Sequence, residues 1–446
     1  MAGGNHESAP STEILNPSRI TPVQWIILIL CMLASMIEGF DIVIIAYTAP
    51  AISADWGVLS NELGIVFSAG VLGMTFGAMM LGGLADRYGR RIVVTGALLV
   101  AGLATSAVMI TSNVTELVIM RVIAGMALGA LVATLPALTG EFSPGRHRTL
   151  IIATLIASAN IGGFSGGLIV AELITSLGWK SIFLYTGLLT IAIAILVWFL
   201  VPESLAFVRR KNASNALDTV NRTLTYIGQQ TVEQLPPLSS EVKTEKASVV
   251  ALLVSARRST TLLVWVAFFL SFLAVYFVSS WMPPVLTAAG LSGKEAIQAT
   301  TALPMGAIIG NVLIGWLAGR WGLNRLMAGA FALGAVCMAA LSFIHPFLST
   351  LPFVVIWGLL CLTGITLLGS FGNMYNVAIT VYPAHIRGTG MGWAAGLGRA
   401  GAVLSPMLAG FMMASKLSMP TVFFLFAIPA LLAAVCVAFI SMRELT

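Results

Sequence analysis

The sequence predicts an all-α integral membrane protein, with twelve transmembrane helices arranged as two six-helix pseudo-repeats. Three observations carry that expectation. Of 446 residues, 58% are hydrophobic and only 9% charged, where a soluble protein carries about 25% charged residues. Apolar runs of about 20 residues, the length that crosses a bilayer, recur along the whole chain. Motifs from the first half also return in the second at nearly one spacing.

The runs lie at 24–49, 62–84, 91–112, 115–138, 149–171 and 179–201, then at 260–284, 296–319, 325–345, 350–376, 388–412 and 420–441. The expected organisation is an N-terminal tail (1–23), a six-helix bundle (24–201), a hydrophilic central loop (202–259), a second bundle (260–441) and a short C-terminal tail (442–446). The central loop holds Arg209, Arg210, Lys211, Arg222, Lys243, Lys246, Arg257 and Arg258. Residues 1–20 are polar and show no cleavable signal peptide, so the first span is expected to act as the insertion signal.

Of the 23 basic residues, Lys180, Lys294 and Lys416 fall on one side, and Arg121 and Arg399 lie inside spans. The other eighteen fall on the side of the termini and the central loop. The positive-inside rule then puts both termini in the cytoplasm. The net charge of +6 and pI near 9.3 are thus a topology signal and imply no nucleic-acid partner. Cys31, Cys337, Cys361 and Cys436 sit in apolar segments without metal-like spacing and read as small core hydrophobes.

The repeat is visible in two places. "GGLADRYGRR" (82–91) follows the second span and "GWLAGRWGLN" (315–324) the eighth; Pro144 and Arg148 match Pro383 and Arg387. The offsets are 233 and 239 residues. Tandem halves with substrate held between them near the midplane are a common transporter plan.

The acids Glu38 and Asp41 are the most informative residues. Each costs about 2.5–3.5 kcal/mol at a helix centre on insertion scales, yet they stand three residues apart in "EGFD", on one helix face. Gly39 between them leaves room for a neighbouring helix or ligand. A carboxyl in a low-dielectric site resists ionisation, so the pair can hold a proton and release it when the cavity opens to water. The residues alone leave open that one acid merely pairs with a buried base or caps a helix break.

Several motifs resemble the major facilitator superfamily. Gly82, Asp86, Arg87, Gly89, Arg90 and Arg91 match its loop signature G-x-x-x-D-R-x-G-R-[RK]. "RVIAGMALGA", with Arg121, Gly125 and Gly129, is similar to its fourth-span signature, and "VPES" closes the sixth span. Within it, "EGFD" resembles the [DE]-G-[FY]-D motif of the aromatic acid:proton symporter family, supported by Arg399 in "GLGRAGAVLSP" of the eleventh span. Glu38 stands where many members have aspartate.

The resemblance implies proton-coupled uptake of an aromatic carboxylic acid such as a benzoate, hydroxybenzoate or phenylpropionate. It further implies a bacterial inner-membrane location, action as a monomer and no cofactor. Proton coupling would fall to Glu38, Asp41 and Arg121. Arg399 would anchor the substrate carboxylate, directly or with Asn160, its repeat equivalent, because a planar guanidinium suits a carboxylate. The alternative is a permanent pair of Arg399 with Asp41 or Glu38. For Arg121 the alternative is a side chain snorkelling to the interface.

Phe40, Tyr276, Phe371, Tyr375 and Trp393 are candidate walls for an aromatic ring, and Asn311, Asn373 and Asn376 candidate partners for ring hydroxyls. Each aromatic taken singly reads more readily as packing. Trp281, beside Pro283 and Pro284, reads as a membrane-interface anchor. The loop signature is expected to form a conformational latch, with Asp86 facing the positive end of the eleventh helix near Arg387 and Arg90 pairing with Glu141.

Other functions find less support. A drug:proton exporter, or a carrier of a muconate-like dicarboxylate, shares the loop signature. A sugar porter shares "PES", but its paired seventh-span glutamines are missing. His6, His147, His345 and His385 are scattered, with no HExxH and no Walker motif, so neither an enzyme nor a metal site is expected.

Overall fold

The computed structural model describes residues 20–211, 215–235, 252–253 and 258–440, without the side chains at 384 and 385. The expected tails, apart from residues 20–23, and Lys243, Lys246 and Arg257 of the central loop lie outside the described residues. Twelve described helices are long and apolar enough to cross a membrane. We label them α1 (Pro22–Trp56), α2 (Ser60–Met80), α3 (Arg90–Ile110), α4 (Val114–Phe142), α5 (Arg148–Leu177), α6 (Trp179–Leu200), α7 (Arg258–Ala288), α8 (Gly293–Trp321), α9 (Leu323–Thr350), α10 (Phe353–Val381), α11 (Ile386–Ala414) and α12 (Met419–Phe439). The side carrying the central loop is called the linker side, and the other the far side.

Helix starts follow from capping. Thr21 and Gln24 form a reciprocal capping box with Pro22 in the first turn of α1. Asn113 caps α4 through the Glu116 amide, and Ser418 caps α12 through Thr421. α1 runs past the expected end at 49, through Pro50, and stops at Gly57 with φ +65°. At 1.5 Å per residue it is roughly 52 Å long, so it projects beyond the hydrocarbon on the far side.

The central loop is not simply hydrophilic chain. It contains the helices Leu205–Arg210 and Ala216–Tyr226. Val220, Leu224 and Ile227 recur at helical spacing and bury fully in the first half's core. The Gln229 amide donates to Gln24 Oε1 (2.9 Å) and Tyr226 to the Leu200 carbonyl (3.0 Å), so the segment is strapped beneath α1 and α6.

Within the first half, glycines set the crossings. A Cβ on Gly39 would overlap the Ala159 carbonyl of α5, and one on Gly162 the Met36 carbonyl of α1. Between halves, α2 lies along α11: Gly64 meets Pro406, and Ser68 Oγ donates to the Val403 carbonyl at 2.6 Å. α5 meets α8, where Glu172 takes a 2.6 Å ion pair from Lys294 and a 3.2 Å hydrogen bond from Gln298.

Trp281 is no interface anchor. It is fully buried, packs edge-on against Phe67 of α2 at 5.2 Å and donates to the Pro406 carbonyl at 3.2 Å. Pro283 and Pro284 do not end α7, which continues to Ala288, so the indole remains inside the seam. Among the described residues, every hydrogen bond or ion pair between the halves involves the far-side portion of α2 and α11, the α5–α8 contact, or Arg399 with Met74. The ion pair and the short hydrogen bonds among these lie toward the far side.

The α1–α5 crossing yields a direct test. Gly39→Ala forces backbone apart and is expected to cost about 1–3 kcal/mol, the usual range for overpacking. Gly96→Ala, with nothing within 4 Å of the new carbon, is expected to be neutral. Melting temperatures in detergent compare the two.

Candidate functional site

Asp41 and Arg121 close on each other. The guanidinium donates to both carboxylate oxygens, at 2.8 and 3.1 Å, and to the Asp41 main-chain carbonyl at 2.8 Å. Thr105 of α3 adds a 3.1 Å hydrogen bond to the same carboxylate. Asp41 is 3% and Arg121 2% exposed, which rules out a snorkelling arginine. Gly70 explains the path: a Cβ there would sit 3.3 Å from an Arg121 nitrogen. Gly125 and Gly129 press against the α2 backbone and bring α4 close enough for the reach.

Glu38 points elsewhere. Among the described residues no group hydrogen-bonds or ion-pairs with its carboxyl. The charges that act on it are Arg399 first and Asp41 second. Among the described residues Arg399 likewise has no ion pair, and its one polar contact is the Met74 carbonyl at 3.5 Å, beyond the usual 2.7–3.2 Å. Among the described residues Arg399 thus pairs with neither acid, and Asp41 is already held by Arg121. Asn160 follows Ala159 at the α1–α5 crossing and is half-buried without a side-chain partner among the described residues.

Around Arg399 lies an aromatic wall. Tyr276 stacks on Phe272 with centroids 5.9 Å apart, and Phe371 meets Phe272 edge-on at 4.6 Å. Tyr375 meets Phe268 edge-on at 5.4 Å. Arg399 acts electrostatically on both tyrosines, and Glu38 on Tyr276. Phe272 covers Gly398, where a Cβ would be 2.6 Å from its ring, placing the wall beside Arg399.

Phe268 and Phe272 escaped sequence reasoning, although their spacing to Tyr276 (i, i+4, i+8) marks one helix face. The π-helical turn Gly364–Leu368 in α10, just before Phe371, escaped it too; such turns recur at functional sites.

The remaining candidates are spread around this centre. Asn373 donates to the Gly369 carbonyl (3.0 Å) and accepts from Asn376 (2.9 Å), while the Asn311 side chain lies over Gly372. These three form one polar patch between α8 and α10. Phe40 lies against Gly166 of α5, where its ring packs the helix contact. Trp393 is 44% exposed and stacks on Trp265 at 6.0 Å, two turns nearer the linker side than Arg399.

Comparison with known proteins agrees with this architecture. A sequence model described as Major Facilitator Superfamily matches residues 31–399. The chain belongs to the Major Facilitator Superfamily. It is 33% identical to the gallate transporter of Pseudomonas putida, covering 94% of this chain and 92% of that one. It is 32% identical to the 4-hydroxybenzoate transporter PcaK of Acinetobacter baylyi, covering 96% and 94%. Among solved structures, the xylose transporter XylE from E. coli superposes with a TM-score of 0.70 at 17% identity, covering 92% and 95%. At that identity the likeness shows the fold alone.

The superfamily's loop signature is built into the first half. Arg90 pairs with Glu141. The Arg91 amide donates to Glu203 at 3.1 Å, and its guanidinium lies 4.5 Å over Trp198. Glu203, from "VPES", crowds Gly89, whose φ of +106° and missing side chain make the turn possible. Gly82 packs near Ala133, and Arg87 stacks on Tyr88 at 5.4 Å.

Asp86 pairs with Arg210 at 3.1 Å, which brings a whole positive charge to it from the adjoining linker helix, where a helix end offers about half a charge. Arg387 donates to the Tyr382 carbonyl at 3.1 Å, inside the second half.

The Asp41–Arg121 pair generates a stability prediction. Arg121→Gln alone is expected to cost about 3–5 kcal/mol, because it strands a buried carboxylate. Asp41→Asn combined with Arg121→Gln is expected to recover most of that loss. Melting curves of the two single variants and the double variant measure the coupling.

Proposed function

We propose that the protein imports an aromatic carboxylate with a proton, by alternating access of its two six-helix halves (24–201 and 260–441). It works as a monomer in a bacterial inner membrane with both termini cytoplasmic. One observation carries the reading: among the described residues Arg399, an arginine within a span, has no ion-pair partner and stands beside an aromatic wall. The two similar transporters carry hydroxylated benzoates by name, and the eighteen basic residues on the linker side support the orientation.

The substrate carboxylate docks on the Arg399 fork. Its ring lies against Tyr276, Phe371 and Tyr375, within reach of Asn160 and the Asn311–Asn373–Asn376 patch for ring hydroxyls. Phe40 and Trp393 border the path on either side. A substrate carboxylate on Arg399 brings a second negative charge near Glu38, and like-charge repulsion favours a proton on Glu38 as substrate binds.

A proton reaching Asp41 frees Arg121 and loosens α1 from α4. The pairs Arg90–Glu141 and Asp86–Arg210, with Gly82, Arg87, Gly89, Arg91 and Arg387, hold the linker-side ends of the helices through the rocking motion. One proton per monoanion is electroneutral and uses the pH gradient alone. A second proton adds about 2.3 kcal/mol per 100 mV of membrane potential.

Uptake of radiolabelled aromatic and aliphatic acids into proteoliposomes, with and without an inward proton gradient, tests the proposal. Accumulation of a hydroxybenzoate that an uncoupler abolishes is expected. Efflux of a preloaded cation without acid uptake would establish an exporter instead. Arg399→Ala is expected to raise KM roughly 10- to 100-fold, the loss of a charged hydrogen-bonded contact. Glu38→Gln and Asp41→Asn are each expected to abolish proton-driven accumulation, and wild-type accumulation by either removes that residue from the coupling route.

A further inference from the structure

A groove of about 640 Å³ runs between α8 and α9, floored by α10. Leu313, Leu317 and Leu333 form its walls and Ile365 its floor, while Arg320 and Arg325 close its linker-side end. α9 packs on α8, α10 and α12 within its own half, so the groove opens away from the central cleft, toward lipid. Trp316 and Trp321 beside it are 60% and 62% exposed. The Arg320 guanidinium stacks on Trp316 at 4.7 Å, which holds it at the groove's edge.

Among the described residues neither arginine has a counter-charge, since the four ion pairs leave both out. The first half's copy of this loop is self-satisfied, with Asp86 on Arg210 and Arg90 on Glu141. In the second copy Gly319 replaces Asp86, and Leu323 replaces Arg90. From 260 to 446 the only acids are Glu295, on the far side, and Glu444 at the C-terminus. The two cations therefore sit at the end of an apolar channel of acyl-chain character, where a membrane supplies anions.

We propose that this groove binds an anionic phospholipid of the linker-side leaflet, its phosphate between Arg320 and Arg325 and one acyl chain along Leu317 and Leu333. Native mass spectrometry of the full chain in detergent, with phosphatidylglycerol or phosphatidylcholine of matched chains, tests it. Wild type is expected to retain phosphatidylglycerol in excess. Arg320→Gln with Arg325→Gln is expected to lose that excess, on the order of fivefold for each arginine removed.

Leu333→Trp, which fills the groove and spares both arginines, is expected to lower retention as well. The Lys substitutions at 320 and 325 are expected to preserve the preference, and a melting curve checks that each variant is folded. Equal retention of the two lipids by wild type, or an undiminished excess in the folded double Gln variant, overturns the proposal. Displacement of the lipid by millimolar inorganic phosphate also overturns it, because the site would then be one for free anions.

Discussion

Charge inside a low-dielectric body has to be matched group by group, and the centre of this protein is organised by one such match. Asp41 and Arg121 bind face to face, with Thr105 and a main-chain carbonyl taking part. Both are removed from solvent, where separating them is far costlier than at a surface. Toward the middle of α1 and α11 lie a further acid and a further arginine, Glu38 and Arg399. Because the first pair is closed, the second two remain available, and the cleft acquires a cation and a proton carrier without committing either to the fold.

That division depends on helix spacing. Gly39 and Gly162 let α1 and α5 touch backbone to backbone, and Gly70 and Gly125 do the same for α2 and α4. The first contact sets Gly39, next to Glu38 in the chain, against Ala159, next to Asn160. The second gives Arg121 a track over Gly70 to Asp41. Among the described residues, the two halves meet toward the far side through the Trp281–Phe67 contact, the Ser68–Val403 hydrogen bond and the Glu172–Lys294 pair.

The two repeats have diverged most where charge is concerned. In the first, Arg90 pairs with Glu141, the Arg91 amide donates to Glu203, and the loop acid Asp86 takes Arg210 of the linker helix. In the second, the acids have gone and the arginines stay at the membrane surface. The central linker supplies Arg210 and buries Val220 and Leu224 under the first half, so the asymmetry extends to how each bundle is braced.

The sequence by itself determined the span count, the repeat and the identity of the charged residues that matter, because the bilayer imposes length and apolarity on every span. It also marked "EGFD", Arg121 and Arg399 as residues needing a reason. Partner choice was decided only in three dimensions. Whether Asp41 answered Arg121 or Arg399 depended on crossings between α1, α2 and α4 that no local pattern encodes. Asp86 went to Arg210 because an unforeseen linker helix brought a full charge to it. Trp281 looked like an interface ring beside two prolines, yet those prolines were accommodated inside α7. A side chain's neighbours are set by helix rotation and approach, which are properties of the assembled bundle.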